Sequence, residues 1–65
     1  MARIKSEEME NKILEAAQEL FLEKGYMATS TVDIAKKVGC NQALVHYYFR
    51  TKQNLFKQIY LMHVN

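Results

Sequence analysis

The sequence predicts an all-α fold, and three observations support this. The 65 residues include no proline and only two glycines, so few positions break a helix. Apolar residues recur at helical spacing and do not alternate as in a half-buried strand. Hydrophobic residues make up 49% of the chain and charged residues 25%, the balance of a globular domain. A chain of this length is expected to form one small, marginally stable domain.

The first helix is expected to run from about Glu7 to Lys24. Ser6 is a suitable N-cap, and the acidic residues that follow it lie where the helix dipole favours negative charge. Gly25 suits the left-handed position just after the helix, and Tyr26 would then fold back against Phe21. The apolar stripe of this helix comprises Met9, Ile13, Leu14, Ala17, Leu20 and Phe21.

Two short helices should follow. Ser30 and Asp33 have the spacing of a capping box, and Gly39 ends the second helix after about two turns. Asn41 is a good N-cap for a third helix over residues 42–48. The inward positions are expected to be Ile34, Ala35 and Val38 in the second helix, then Leu44 or Val45, with Tyr48 and Phe49, in the third; Val32 should lie nearer the solvent.

A fourth helix is predicted from Lys52 to about His63, capped by Thr51. Its apolar residues are too numerous for one stripe, so a packing partner outside this chain is expected to cover part of it. These residues are Leu55, Phe56, Ile59, Tyr60, Leu61, Met62 and Val64.

The tight connection from Val38 to Asn41 matches the helix-turn-helix pattern, in which a short turn often contains glycine. Ala35 is small where two helices cross, Gly39 permits a positive φ, and Val45 is apolar where the helices meet. The pattern predicts a three-helix, homeodomain-like helix-turn-helix bundle plus the start of a fourth, linking helix. The alternative is an ordinary helical hairpin within a small bundle.

Charge is distributed unevenly along the chain. Residues 1–33 contain four basic and seven acidic residues, whereas residues 34–65 contain five basic residues and no acidic residue. A basic, acid-free half suits a surface that binds a polyanion such as DNA. The alternative is an asymmetric surface without a function.

A helix-turn-helix places its second helix in the major groove, so the start of the third helix should contact DNA. Gln42 can bond adenine and Ala43 can touch a thymine methyl group, whereas His46 and Tyr47 suit phosphate. Gln42 and Ala43 could equally be ordinary first-turn residues, and Tyr47 could be a core aromatic. The predicted DNA-binding residues are Ser30, Thr31, Asn41, Gln42, Ala43, Leu44, His46, Tyr47 and Lys52. Arg3 and Lys5 could add a basic arm, although such arms more often fray in solvent.

These segments together resemble the N-terminal domain of the TetR family of bacterial repressors. The resemblance is carried by Ile13-Leu14-Glu15-Ala16-Ala17, Leu20-Phe21, Gly25-Tyr26, Thr29-Ser30, Ile34-Ala35, Gly39-Cys40-Asn41, Tyr48-Phe49, Lys52 and Leu55. It implies a double-stranded DNA-binding head and a palindromic operator. It also implies a C-terminal domain, absent from these 65 residues, that forms a homodimer and binds a small-molecule effector. We therefore expect a basic arm over 1–6, a DNA-binding domain over 7–50 and a linking helix over 51–65 of a longer regulator.

The chain departs from the family pattern near the third helix. Cys40-Asn41 stands where the family usually has Val-Ser, and Ala43 stands where glycine is frequent. His46 aligns with a tyrosine that contacts phosphate in the family. Since a protonated imidazole attracts phosphate more strongly than a neutral one, His46 would make DNA affinity depend on pH.

Other functional classes fit less well. The chain has two histidines, His46 and His63, with no arrangement for nucleophilic or acid–base catalysis and no glycine-rich phosphate loop, so no enzyme and no cofactor is expected. Cys40 and His46 are not spaced as metal ligands on one helix face. No stretch approaches the roughly 20 apolar residues of a membrane span, the N-terminus lacks a signal-peptide pattern, and the single cysteine suits the cytoplasm. The main competitor is a protein-interaction module that uses the apolar face of the fourth helix.

Overall fold

The computed structural model describes the backbone of residues 2–64 and the side chains of residues 7–64. Its helices are α1 (Ala2–Lys24), α2 (Thr31–Val38), α3 (Gln42–Phe49) and α4 (Lys52–Val64). No strand occurs within the described backbone, and the predicted all-α fold is confirmed. α2 packs against both α1 and α3, and α4 packs against α1 and α3.

α1 begins at Ala2, whereas the sequence predicted a start near Glu7. Ser6 therefore lies inside the helix and does not cap it. No proline or glycine precedes Glu7, so nothing in the local sequence stops the helix from extending to the N-terminal side. The side chains of residues 1–6 lie outside the described residues, and the predicted contacts of the basic arm remain predictions.

The predicted capping box at the start of α2 is confirmed. The Ser30 hydroxyl accepts a hydrogen bond from the Asp33 N–H at 3.1 Å, and the Asp33 carboxylate accepts one from the Ser30 N–H at 3.2 Å. Gly39 ends the helix with φ 90° and donates its N–H to the Ala35 carbonyl at 2.8 Å. A Cβ at Gly39 would meet no atom within 4 Å, so the positive φ alone favours glycine here.

α3 and α4 also begin at polar caps. Asn41 Oδ1 accepts a hydrogen bond from the Leu44 N–H at 3.1 Å, and Thr51 Oγ1 accepts one from the Asn54 N–H at 3.0 Å. Between the two helices the chain turns at Arg50, which has a φ of 72°. The Asn54 amide donates to the Phe49 carbonyl at 2.9 Å and so satisfies a group at the end of α3.

One apolar core contains residues from all four helices. Of the two alternatives in α3, the structure buries Val45, which is 1% exposed, and leaves Leu44 partly exposed. Ala16 is an additional core residue that the predicted stripe of α1 did not include. The buried apolar residues are Ile13, Ala16, Ala17, Leu20, Ile34, Ala35, Val45, Phe49, Leu55 and Ile59. Since Leu55 and Ile59 belong to this set, the first half of α4 is part of the domain core.

An aromatic cluster borders the core where α1, its following loop and α4 meet. The predicted contact of Tyr26 with Phe21 is confirmed, with ring centroids 5.4 Å apart. Phe56 of α4 lies 6.0 Å from the Phe21 ring and 5.3 Å from the Tyr26 ring. These edge-on and tilted contacts place α4 against the end of α1.

We expect Leu55→Ala to lower the free energy of unfolding by about 2–5 kcal/mol, because Leu55 is fully buried and its truncation leaves a cavity. Thermal or urea unfolding followed by circular dichroism measures this. Leu22→Ala is the matched control, since Leu22 is 81% exposed and its loss should change stability little. Equal effects of the two substitutions would contradict the assignment of α4 to the core.

The capping box makes stability depend on pH. The Ser30 N–H and, next, the Lys24 ammonium lower the pKa of Asp33 below the usual value for an aspartate. A carboxyl group with a lowered pKa stabilises the fold above its unfolded pKa, and this contribution disappears as the pH falls through the lowered value. Asp33→Asn should therefore be less stable than the wild type near neutral pH and equally stable in strong acid. Melting temperatures of the variant and the wild type, measured from neutral pH to strong acid, give the difference. Glu15→Gln, which changes an exposed acid of α1, is the control. A difference in melting temperature that persists in strong acid would rule out this explanation.

Candidate nucleic-acid interface

α3 presents an exposed face because two of its residues anchor the opposite face. Val45 and Phe49, four residues apart, are 1% and 6% exposed and point into the core. The positions between and before them consequently lie outward, and Tyr47 is 75% exposed. The exposed predicted residues of this helix are Gln42, Ala43, His46 and Tyr47, whereas Leu44 is only partly exposed.

The start of α2 lies beside the start of α3. The Gln42 side-chain amide donates a hydrogen bond from Nε2 to Thr31 Oγ1 at 3.0 Å. The first residue of each helix is thus in direct contact with the first residue of the other. The structure therefore brings together two groups of predicted DNA-binding residues that are separate in the sequence.

Two predicted DNA-binding residues also cap these helices. The side-chain oxygens of Ser30 and Asn41 each accept a backbone N–H of their own helix, at 3.1 Å in both cases. Both residues are exposed. The Ser30 hydroxyl also forms a side-chain hydrogen bond with the Asp33 carboxylate, whereas the Asn41 amide has an NH₂ group of the kind that bonds phosphate oxygens.

Tyr47 and Tyr48 form an aromatic pair on α3. Their ring centroids are 5.1 Å apart at an angle of 73°. Tyr48 is partly buried against the core, whereas Tyr47 is largely exposed. The partly buried Tyr48 ring thus supports the exposed Tyr47 ring. The predicted burial of Phe49 is also confirmed, since it is 6% exposed.

Lys52 lies at the start of α4, but its ammonium is directed toward the loop between α1 and α2. Nζ donates to the Tyr26 carbonyl at 2.7 Å and to the Thr29 carbonyl at 2.9 Å. It also lies 4.3 Å from the centroid of the Tyr26 ring, a cation–π contact. Two of its three N–H donors are thus used within the protein, a structural role that the sequence analysis did not identify; phosphate binding by Lys52 stays a prediction.

Thr29 is a second anchor of the same loop, and it is only 1% exposed. Its hydroxyl lies 2.8 Å from the Gly25 carbonyl and 3.2 Å from the Leu20 carbonyl, both near the end of α1. Thr29 immediately precedes the N-cap of α2, so these contacts tie the start of α2 to the end of α1. No local sequence signal distinguishes a buried threonine of this kind from an ordinary loop residue.

The electrostatics of the surface favour an anionic partner. α3 and α4 contain no acidic residue, and Asp33, the one acid of α2, pairs with Lys24 at 3.2 Å. Lys36 and Arg50 are exposed, whereas Lys37 pairs with Glu19 at 3.3 Å.

Among the described residues, no three His, Cys, Asp or Glu side chains come together as metal ligands. Over the same residues, no helix combines the length and the apolar character required to traverse a bilayer.

Comparison with known families gives one match over most of the chain. Residues 13–59 match the family model described as bacterial regulatory proteins, tetR family. This range includes α2, α3 and the connection between them, together with the Lys52 and Thr29 anchors.

Curated proteins give a consistent result. The chain is 43% identical over 51 residues to the HTH-type transcriptional regulator QacR of Staphylococcus aureus, covering 78% of this chain and 27% of the relative. It is 42% identical over 50 residues to the biofilm operon icaADBC HTH-type negative transcriptional regulator IcaR of the same species, covering 77% and 27%. The chain thus spans about a quarter of the length of these relatives. No solved structure gives a significant match.

We expect Lys52→Met to lower the free energy of unfolding by about 1–3 kcal/mol, because two loop carbonyls lose a charged donor. Urea unfolding measures the loss, and NMR shifts of the Ser30 and Thr31 amides should report that the start of α2 moves. Lys57→Met is the matched control, since Lys57 is an exposed lysine of the same helix. If both substitutions change stability equally, the loop contacts contribute little.

Proposed function

This chain belongs to the TetR family of bacterial regulatory proteins, and we propose that it binds double-stranded DNA in a sequence-specific manner as the operator-reading part of a transcriptional regulator. The observation that carries the proposal is the exposed start of α3 in a helix-turn-helix, where Gln42 and Ala43 lie outward because Val45 and Phe49 point into the core. The expectation that the chain is not an enzyme agrees with its membership of a family of DNA-binding regulators.

In the proposed complex, α3 lies in the major groove. Gln42 is suited to pair with adenine through its amide, and Ala43 is small enough to contact a thymine methyl group. Leu44, partly exposed on the same turn, would add an apolar contact at the edge of the groove. These three residues would supply base readout.

The remaining predicted residues would hold the DNA backbone. Ser30, Thr31 and Asn41 lie at the starts of α2 and α3, where unpaired backbone N–H groups and the helix dipole favour phosphate. His46 and Tyr47 are exposed on α3, and a protonated His46 would bind phosphate more strongly than the neutral form. Lys52 would contribute positive charge and its remaining N–H donor.

The proposal for the whole regulator rests on the family. Its relatives extend well beyond the matched region, and the family resemblance implies dimerisation, a palindromic operator and a small-molecule effector. Because one relative is named a negative transcriptional regulator, we propose repression as the mode of action.

A protein-interaction module is the second candidate, and the exposed apolar residues of α4 favour it. Phe56 and Tyr60 are 48% and 59% exposed, and Leu61, Met62 and Val64 follow on the same helix. Such a surface suits another helix or domain, whereas the acid-free surface of α3 suits DNA.

NMR titration of the labelled chain with a generic DNA duplex tests the proposal. At about 50 mM salt we expect shifts concentrated at residues 30–31, 41–48 and 52, and we expect about 200 mM salt to reverse them, because phosphate contacts weaken steeply with salt. Shifts confined to residues 55–64, or no shifts at all, would contradict DNA binding by this chain and favour the interaction module.

Two tyrosine substitutions, one as the test and one as its control, can be compared in the same titration. Tyr47→Phe should weaken duplex binding by about threefold or more, because the hydroxyl that bonds phosphate is lost. Tyr60→Phe removes a hydroxyl from a similarly exposed ring on α4 and should leave the affinity unchanged.

A further inference from the structure

The Thr31–Gln42 hydrogen bond lies on the surface that we assign to DNA. Gln42 is exposed and Thr31 is partly exposed, yet Nε2 and Oγ1 are 3.0 Å apart. We propose that Thr31 is a positioning residue that directs Gln42 to prefer adenine over guanine. This inference rests on the proposed function, in which α3 enters the major groove.

The chemistry of the amide explains the preference. A glutamine side chain has two N–H donors and one carbonyl acceptor. Adenine presents one acceptor and one donor in the major groove, whereas guanine presents two acceptors. Since Thr31 Oγ1 takes one N–H of Gln42, one N–H and the carbonyl remain. This remaining pair matches the adenine edge, and the second donor that guanine would need is already occupied.

Both ends of the hydrogen bond are held by the fold. Thr31 is the first residue of α2 and directly follows the Ser30–Asp33 capping box, and its β-branched side chain has restricted χ1 freedom. Gln42 is the first residue of α3 and directly follows the Asn41 cap. The tight turn at Gly39 joins the two helices, so the backbone positions that carry the two side chains are held close together.

Thr31 also has a donor left for DNA. A hydroxyl that accepts one hydrogen bond retains its own O–H. If that O–H bonds a phosphate, the same side chain contacts the DNA backbone and orients the group that reads the base. Thr31 would then couple the position of the DNA backbone to the choice of base.

The DNA test compares Thr31→Val, Thr31→Ser and Gln42→Ala in the 65-residue chain. A duplex pool randomised over about ten base pairs, one helical turn, is bound at low salt and sequenced. Gln42→Ala identifies the base pair that Gln42 reads, as the position at which its adenine preference is lost. At that position Thr31→Val, which removes the hydroxyl at nearly constant shape, should lower the adenine-to-guanine ratio by about threefold to tenfold.

Three outcomes of this test are informative. Thr31→Ser keeps the hydroxyl and should retain the adenine preference. If Thr31 acts through Gln42, the double variant Thr31→Val with Gln42→Ala should have the same adenine-to-guanine ratio as Gln42→Ala alone. If Thr31→Val weakens binding to all duplexes by one factor and leaves the ratio unchanged, Thr31 is only a phosphate contact and the proposal is wrong.

A measurement without DNA separates this proposal from the proposed function. The side-chain NH₂ of Gln42 should be less mobile by NMR relaxation than that of Gln53, an exposed glutamine of α4, and Thr31→Val should abolish the difference. Equal mobility of the two side chains in the wild type would overturn the positioning role. If the Gln42 side chain is less mobile than that of Gln53 but the wild type binds no duplex, the proposed function is wrong. The base preference then fails with it, although the Thr31–Gln42 hydrogen bond is confirmed.

Discussion

The proposed DNA surface depends on the two donors that hold the loop between α1 and α2. The Lys52 ammonium donates to the Tyr26 and Thr29 carbonyls at 2.7 and 2.9 Å, and the single O–H of Thr29 donates to the Gly25 carbonyl at 2.8 Å, with the Leu20 carbonyl 3.2 Å from the same oxygen. A carbonyl group left without a partner in a partly buried loop costs about 1–3 kcal/mol, so these donors make one loop conformation favourable. Because the loop leads directly into Ser30 and Thr31, it determines where the start of α2 lies relative to α3.

Apolar burial and polar contacts have different tasks in this small domain. Leu55 and Ile59 of α4 complete the core that holds α1, α2 and α3 together. The Lys52 contacts with the loop add a polar constraint on the placement of α4 to the apolar and aromatic contacts. The helix that the sequence suggests as a linker to another domain therefore also stabilises this domain and helps to orient the proposed DNA surface.

Features encoded by neighbouring residues could be predicted from the sequence, whereas contacts between distant residues could not. The capping box of Ser30 and Asp33, the Asn41 cap and the turn at Gly39 are local, and α2 and α3 lie where they were predicted. The predicted start of α1 was wrong by several residues, because no helix-breaking residue marks the true start. The Lys52 contacts join residues 23 and 26 apart, and the Gln42–Thr31 bond joins residues 11 apart, so neither is visible before the chain folds. Periodicity also left Leu44 and Val45 equivalent, because adjacent residues on a short helix both border the buried face.

The uneven charge of the chain has a kinetic consequence. All acidic residues lie before residue 34, mostly on α1, whereas α3 and α4 are acid-free. A molecule with this distribution experiences a torque in the field of a polyanion, because the acidic helix α1 is repelled while the basic residues of α2, α4 and Arg50, which flank α3 in the sequence, are attracted. More collisions would then begin with the recognition helix facing the duplex than chance orientation allows. The arrangement would raise the association rate at low ionic strength without any additional contact in the final complex.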